Sequence, residues 1–291
     1  MLLPVVIIDA FTEEPFTGNP AAVIYNADKL DGATMQGIAT RLGLPETVFT
    51  THSSCATVKA RYFTPHQELA MAGHPSIAVA HDLVERGGAQ PGTTITLETQ
   101  AGIIPISIAN AHVWPRYTME QRAPDFGARV DARAIASALA LESRDVLLQP
   151  QIVSTGSPML LVPLVSLDAL ERIIPDHHAL FAQCQSRFVA IHCFARSNDN
   201  PFAFVCRNFG PPEDLPEDPA TGSAIGPMSA FALANRLISH PTFLVSQGVT
   251  LGRPSRIFAR VHGTADSISS VDIGGSAMTN FRSSIVLQST S

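Results

Sequence analysis

Two stretches constrain the fold of this chain more than any other. Residues 74–84, HPSIAVAHDLV, and 223–236, SAIGPMSAFALANR, lack strand alternation and are apolar on nearly every face. A helix apolar all round has to be buried all round. Each stretch follows a Phe-containing strand, a loop with acids and prolines, and a small-residue turn. The two runs are YFTPHQELAMAGHPSIAVAH (62–81) and NFGPPEDLPEDPATGSAIGPM (208–228). Gly73 and Gly222 stand about half the chain apart, which points to an internal duplication. The simplest architecture is two similar halves, each wrapping a sheet around one buried helix. The boundary is expected near 120–130, in the Pro-, Gly- and Asp-containing stretch EQRAPDFGAR.

Most other segments read as strands. ATVKARYF (56–63) alternates with period two, and short apolar runs at 4–9 and 20–25 are split by turn residues. Further strands are expected at 94–98, 103–108, 113–119, 151–155, 159–165, 187–194, 202–209, 243–247, 256–261, 268–273 and 280–287. Three more helices have start signals: Asp31 before a run stopped by Gly43, Asp131 before ARAIASALAL, and Ser166 before LDALERII.

Composition narrows the partners. Charged residues make up 15% of the 291, net charge is −6, and lysine occurs only at Lys29 and Lys59. With no basic tract, nucleic acid and anionic membrane surfaces are not expected partners. No apolar run approaches the roughly 20 residues of a membrane span. The N-terminus, MLLPVVIIDAF, lacks a basic n-region and reads as a strand, not a signal peptide. Cys55, Cys184, Cys193 and Cys206 show no CxxC spacing and fit reduced thiols, so a cytoplasmic location is expected.

The chemistry concentrates at the two helix mouths. Free N–H groups and the dipole at a helix start favour an anion. Gly73 and Gly222 would let a ligand approach the backbone, and His74 and Ser223 would add donors. A small carboxylic acid is the natural guest. The competing reading is capping alone, by Asp218, Thr221 or Ser223. Glu46, in LPETVF, lies at the start of an apolar strand, where desolvation would raise its pKa and suit it to general acid–base work. The alternative is an edge-strand charge. No G-x-G-x-x-G, Walker loop or G-x-S-x-G is present. The ten histidines show no metal-ligand spacing, and His177-His178 reads as surface. Neither lysine has the loop context of a pyridoxal phosphate site. Neither a cofactor nor a metal is expected.

These motifs resemble the phenazine-biosynthesis (PhzF-like) isomerase family. The matching stretches are DAFTEEPFTGNPAAVI (9–24), PETVF (45–49), YFTPHQELAMAGHPSIA (62–78), STGSPMLLVPL (154–164), EDPATGSA (217–224) and QGVTLGRPSRI (247–257). They lie in the family order across nearly the whole chain. The resemblance implies an α/β (α+β) fold of the diaminopimelate epimerase type. That fold has two pseudo-symmetric domains, each a curved, mainly antiparallel sheet around a central helix. Residues 1–122 with a returning C-terminal strand, 276–291, would form one half, and 123–275 the other.

The resemblance also implies roles. Glu46 matches the carboxylate that moves a proton between substrate carbons; His74 and Asp218 complete the catalytic set. Asn19, Gly73, Ser76, Thr221, Gly222 and Ser223 are expected to bind substrate. The implied reaction is cofactor-independent isomerisation of a small amino or hydroxy acid like trans-2,3-dihydro-3-hydroxyanthranilate, in an interdomain cleft of a homodimeric biosynthetic enzyme. Related epimerases and proline racemases use two thiols, and neither AMAGHP nor EDPATGS contains cysteine. Two readings stand beside isomerisation: an epimerase or racemase without catalytic thiols, and a non-catalytic small-acid binding protein of the same fold. Two departures touch the expected pocket. Pro45 stands where many members have Ser, and Ala72-Gly73-His74-Pro75-Ser76 where many have Cys-Gly-His-Ala-Thr.

Overall fold

Strand Asn19–Ile24, NPAAVI, is buried at all six positions, which an alternating strand would not be. Both of its faces are covered. On one lies the helix Gly32–Leu42, through Met35, Ile38 and Ala39, with Ala22, Ile24, Phe49 and Phe63 in the same core. Asp31 caps this helix and Gly43 ends it. The central helix Gly73–Glu85 also packs on this strand, and on Leu2–Ala10, Glu46–Thr51 and Ala277–Val286.

The structure is a computed structural model that describes residues 2–110, 112–182, 187–199, 201–211 and 216–287. The chain divides into two units, residues 1–119 with 274–291, and residues 120–273. In the first, Leu2–Ala10 pairs antiparallel with Ala277–Val286 on one side and Asn19–Ile24 on the other. Asn19–Ile24 then runs parallel to Glu46–Thr51, which pairs antiparallel with Val58–Phe63. Val58–Phe63 takes the short strand Glu68–Leu69 antiparallel and Thr94–Thr99 parallel. Thr94–Thr99 pairs antiparallel with Gly102–Ile108.

The second unit repeats that wiring. Gln151–Ser154 pairs antiparallel with Pro158–Pro163, which runs parallel to Ala190–Arg196, itself antiparallel to Phe202–Phe209. Phe202–Phe209 takes Glu217–Asp218 antiparallel and Thr242–Gln247 parallel, and Thr242–Gln247 pairs antiparallel with Ser255–Thr264. The central helix here is Gly222–Ala234, buried at Ala224, Ile225, Gly226, Pro227, Met228, Ser229 and Ala230 in succession and so on every face. Its one buried hydroxyl there, Ser229, donates back to the Ile225 carbonyl at 2.6 Å. On the outer side, Ala132–Ala138, Leu167–Glu171 and His177–Ala182 cover a second core around Leu139, Leu160, Val162, Leu170 and Ile191. The fold is thus α+β, with sheets around buried helices, as expected.

Local expectations need three corrections. The boundary stretch 120–130 holds strand not expected there: Tyr117–Arg122 and Asp125–Arg129 are strands, and Asp125–Arg129 pairs with Gln151–Ser154. Polar edge strands of five residues carry too little alternation to register in the sequence. The strand expected over 113–119 begins only at Tyr117. His177 is not a plain surface residue; it opens a helix, with Nδ1 3.0 Å from the Gly210 carbonyl and its ring edge-on to Phe209. Cys184 and the chain end from 288 onward lie outside the described residues.

Candidate active site

The turn Thr17-Gly18-Asn19 delivers Asn19 to the start of its strand. Gly18 adopts a left-handed φ of +66°, and a Cβ there would lie 2.3 Å from the Ala10 carbonyl oxygen, so only glycine fits. Asn19 Nδ2 then reaches His74 Nδ1 at 3.2 Å, at the start of the central helix. His74 Nε2 faces two acceptors, the Pro20 carbonyl at 3.3 Å and Glu46 Oε2 at 3.3 Å. These contacts select one tautomer: Nδ1 accepts from the Asn19 amide, and Nε2–H donates to the Pro20 carbonyl, with Glu46 Oε2 in contact beside it. Burial pushes the His74 pKa down to about 3, against a smaller opposing effect of the Pro20 carbonyl, so the imidazole is neutral. Glu46 opens its strand with its side chain 19% exposed, beside this neutral imidazole. Asn19, Glu46, Gly73 and His74 therefore converge.

Ser76, in the same helix turn, is used differently. Its hydroxyl is fully buried, donating to the Ala72 carbonyl at 2.7 Å and meeting Tyr62 Oη at 2.7 Å. It ties the helix start to strand Val58–Phe63.

A second group forms in the second unit. Thr221 donates its hydroxyl to Asp218 Oδ2. Gln247, wholly buried, donates from Nε2 to the Asp218 carbonyl at 2.6 Å and to Thr221 Oγ1 at 2.9 Å, and accepts the Thr221 N–H at 3.2 Å. Gly222 and half-buried Ser223 begin the helix. Behind them, Gln121 donates to the Gly222 carbonyl at 2.9 Å and accepts from Thr155. A Cβ on Gly226 would lie 1.8 Å from Gln121 Oε1, so the glycine makes room for this brace. Pro227 removes the helical hydrogen bond to the Ser223 carbonyl.

Neither central helix carries a side-chain cap at its start, although Thr221 occupies the N-cap position of the second. Capping alone, the competing reading of these acids and hydroxyls, is not what the structure adopts.

Each helix start is also braced by an arginine–glutamate fork that the sequence reading missed. Arg61 reaches Glu68 through Nε at 2.7 Å and Nη2 at 2.8 Å, with its guanidinium 5.3 Å from the Phe63 ring centre. Arg207 reaches Glu217 through the same two nitrogens, both at 2.8 Å, 5.0 Å from the Phe209 ring centre. In both units the Glu stands five residues before the helix-mouth glycine, and the Arg two before the Phe. That matched spacing was the available signal.

Among the described residues, one group could offer three metal ligands: Glu120, His262 and Asp272. His262 Nε2 already meets Asp272 Oδ2 at 2.8 Å, and Glu120 is exposed. The arrangement is explained as a surface histidine–carboxylate hydrogen bond. The first unit also has an open surface pocket of about 440 Å³ at the far end of its central helix, lined by His81, Glu85, Trp114, Arg116 and Tyr117 among others. None of the expected site residues lines it. Cys193 and Cys206 are fully buried in strands, which pushes both thiols well above their usual range. No helix of the described residues is long and apolar enough to cross a membrane.

Sheets built around uncapped, buried helices place the chain among the isomerases with a diaminopimelate epimerase-like fold. It belongs to the phenazine biosynthesis-like protein family, whose model matches residues 8–283. It is 36% identical over 288 residues to a trans-2,3-dihydro-3-hydroxyanthranilate isomerase of Pseudomonas chlororaphis, covering 97% of this chain and 99% of that one. It is 34% identical to the uncharacterized isomerase YddE of Escherichia coli K12, over 94% of this chain and 95% of that one. The crystal structure of a Bacillus anthracis phenazine biosynthesis protein of the PhzF family matches with a TM-score of 0.89 at 29% identity, covering 99% and 100% of the two chains. A hydroxyproline epimerase from Agrobacterium vitis shares the fold, with a TM-score of 0.68 at 14% identity over 99% and 94%.

Proposed function

We propose that this isomerase moves a proton between carbons of a small amino or hydroxy carboxylic acid, trans-2,3-dihydro-3-hydroxyanthranilate or a close relative, with Glu46 as the acid–base group. The observation that carries this is the Glu46–His74 contact at 3.3 Å. A neutral imidazole at this distance does not neutralise the carboxylate, which leaves it able to accept a proton. Glu46 takes the proton from C3 of the substrate and returns it to another ring carbon, and the enol becomes a ketone. The carboxylate ends the cycle as it began. Asp218, Thr221, Gly222 and Ser223 bind the polar groups of the substrate. The names of the relatives support the substrate class.

One feature favours isomerisation over epimerisation. Inversion needs a base on each face of a carbon. The strand position that carries Glu46 in the first unit carries Ala190 in the second, and neither helix mouth, AMAGHP or EDPATGS, holds a cysteine of the kind that two-thiol epimerases use. On family grounds we take the active form to be a cytoplasmic homodimer, which light scattering of the purified chain tests for assembly.

The test is proton NMR in D₂O with trans-2,3-dihydro-3-hydroxyanthranilate. Loss of the C3 proton signal with deuterium entering the ring is expected. A folded protein that leaves the compound unchanged overturns the substrate assignment. A fully active Glu46→Gln variant removes Glu46 from its role.

A further inference from the structure

Gln247 is a fully buried carboxamide at the end of strand Thr242–Gln247, and nothing in the proposed reaction uses it directly. All its bonds go to one short segment. Its oxygen accepts the Thr221 N–H at 3.2 Å; its nitrogen donates to the Asp218 carbonyl at 2.6 Å and to Thr221 Oγ1 at 2.9 Å. This pattern fixes the amide orientation, since a flipped amide would set N–H against N–H at Thr221 and oxygen against oxygen at Asp218. It also fixes a second group. With the Thr221 oxygen accepting from Gln247, the hydroxyl proton is directed away from it, toward Asp218 Oδ2. Threonine at an N-cap ordinarily turns its oxygen to the helix N–H groups. Here that does not happen, and the helix start is uncapped.

We infer that Gln247 is a positioning residue for substrate binding: it holds Thr221 and thereby aims the Asp218 carboxylate. This rests on the assignment of Asp218 and Thr221 to substrate binding. Without the carboxamide, Thr221 is free to rotate and cap the helix, and Asp218 loses the donor that sets its rotamer. Strand Thr242–Gln247 is held independently by its ladders to Phe202–Phe209 and Ser255–Thr264, so the clamp can be removed without removing the strand.

The experiment compares Gln247→Met, Thr221→Val and the double variant, with Asp218→Asn alongside, in the D₂O assay. Acting through one chain, Gln247→Met and Thr221→Val should each raise KM about tenfold with kcat kept within about twofold, and the double variant should be no worse than either. Gln247→Glu keeps the acceptor for the Thr221 N–H but not the donor, and should fall between Gln247→Met and the parent. An unchanged KM in Gln247→Met, or losses that add in the double variant, overturns the positioning role. If Asp218→Asn alone keeps the parent KM, the binding assignment of Asp218 fails instead. If the parent does not turn over this substrate, the substrate assignment fails, and the clamp is read by amide hydrogen exchange. Gln247→Met should then speed exchange at Thr221 at least about tenfold while leaving the helix interior as it was. Unchanged exchange at Thr221 overturns the clamp.

Discussion

At the first residue of the strand that runs parallel to Asn19–Ile24, the first unit carries Glu46; at the matching place beside Pro158–Pro163, the second carries Ala190. Two strands further on, the relation reverses. Leu69 pairs with Tyr62 in the first unit, and Asp218 pairs with Asn208 in the second. The helix starts differ as well, with His74 in one and Ser223 in the other. What the units share is the strand wiring, the buried uncapped helix and the arginine–glutamate fork. The difference teaches which parts build the scaffold and which bear chemistry. Side chains alike in both units serve packing, and side chains present in one alone are the candidates for function. On that criterion Glu46, His74 and Asp218 stand out, and Arg61, Glu68, Arg207 and Glu217 do not.

The largest effect expected from this contrast is at Glu46. Glu46→Gln should lower the exchange rate by roughly a hundredfold to ten-thousandfold, the usual span for a general acid–base group, with an unchanged melting temperature. Ala190→Ser, at the matching position, should leave the rate unaltered. A comparable loss at both positions would break the distinction.

The forks come next, and they should affect stability. Arg207 and Glu217 are 10% and 15% exposed, against 26% and 24% for Arg61 and Glu68. Arg207→Ala leaves a buried carboxylate behind and also removes donors from the Leu170 and Ile173 carbonyls. It should cost about 3–5 kcal/mol in urea unfolding. Arg61→Ala, nearer water, should cost about 1–2 kcal/mol. Equal costs would mean that the two forks are equally buried in solution.

Each unit also buries one neutral histidine, which gives a pH test. Burial lowers the His74 pKa to about 3 and the His192 pKa to about 4. His192 donates Nδ1–H to Asn208 at 3.2 Å, the opposite tautomer from His74. In the unfolded chain both protonate near 6.5. Their neutral form therefore stabilises the fold fully above about pH 6.5, and that stability is lost as pH falls toward 4 and then 3. Each contributes a slope of up to about 1.4 kcal/mol per pH unit. Urea midpoints measured from pH 7 to 4.5 should fall for the parent and fall less steeply for His192→Asn. Equal slopes would place the proton uptake elsewhere.

The smallest effect concerns the tautomer. Asn19→Ala should lower kcat about tenfold by releasing His74 Nδ1, while Ser157→Ala, at the matching turn of the second unit, should change it less than about twofold. An inert Asn19→Ala would show that the Pro20 carbonyl orients the ring without help.

The sequence by itself determined the two buried helices, because a segment apolar on every face has only one environment open to it. It determined the start signals Asp31 and Ser166 and the turn between the runs at 4–9 and 20–25, since these depend on neighbours a few residues away. The repeat of strand, hairpin and helix was legible for the same reason. The tertiary structure alone decided the partnerships. Polar strand Asp125–Arg129 exists only because Gln151–Ser154 offers it a ladder. Ser76 looked like a ligand-binding hydroxyl until the fold placed Tyr62 against it. Gln247 is 26 residues from Thr221, and Arg207 ten from Glu217, separations at which no local rule reports a contact. Above all, the tautomer of His74 is set by Asn19 and Pro20, which lie far from it in sequence. Hydrogen bonds are directional and short-ranged, so the pattern of apolar residues can specify which surfaces are buried. Only the folded chain specifies which donor meets which acceptor.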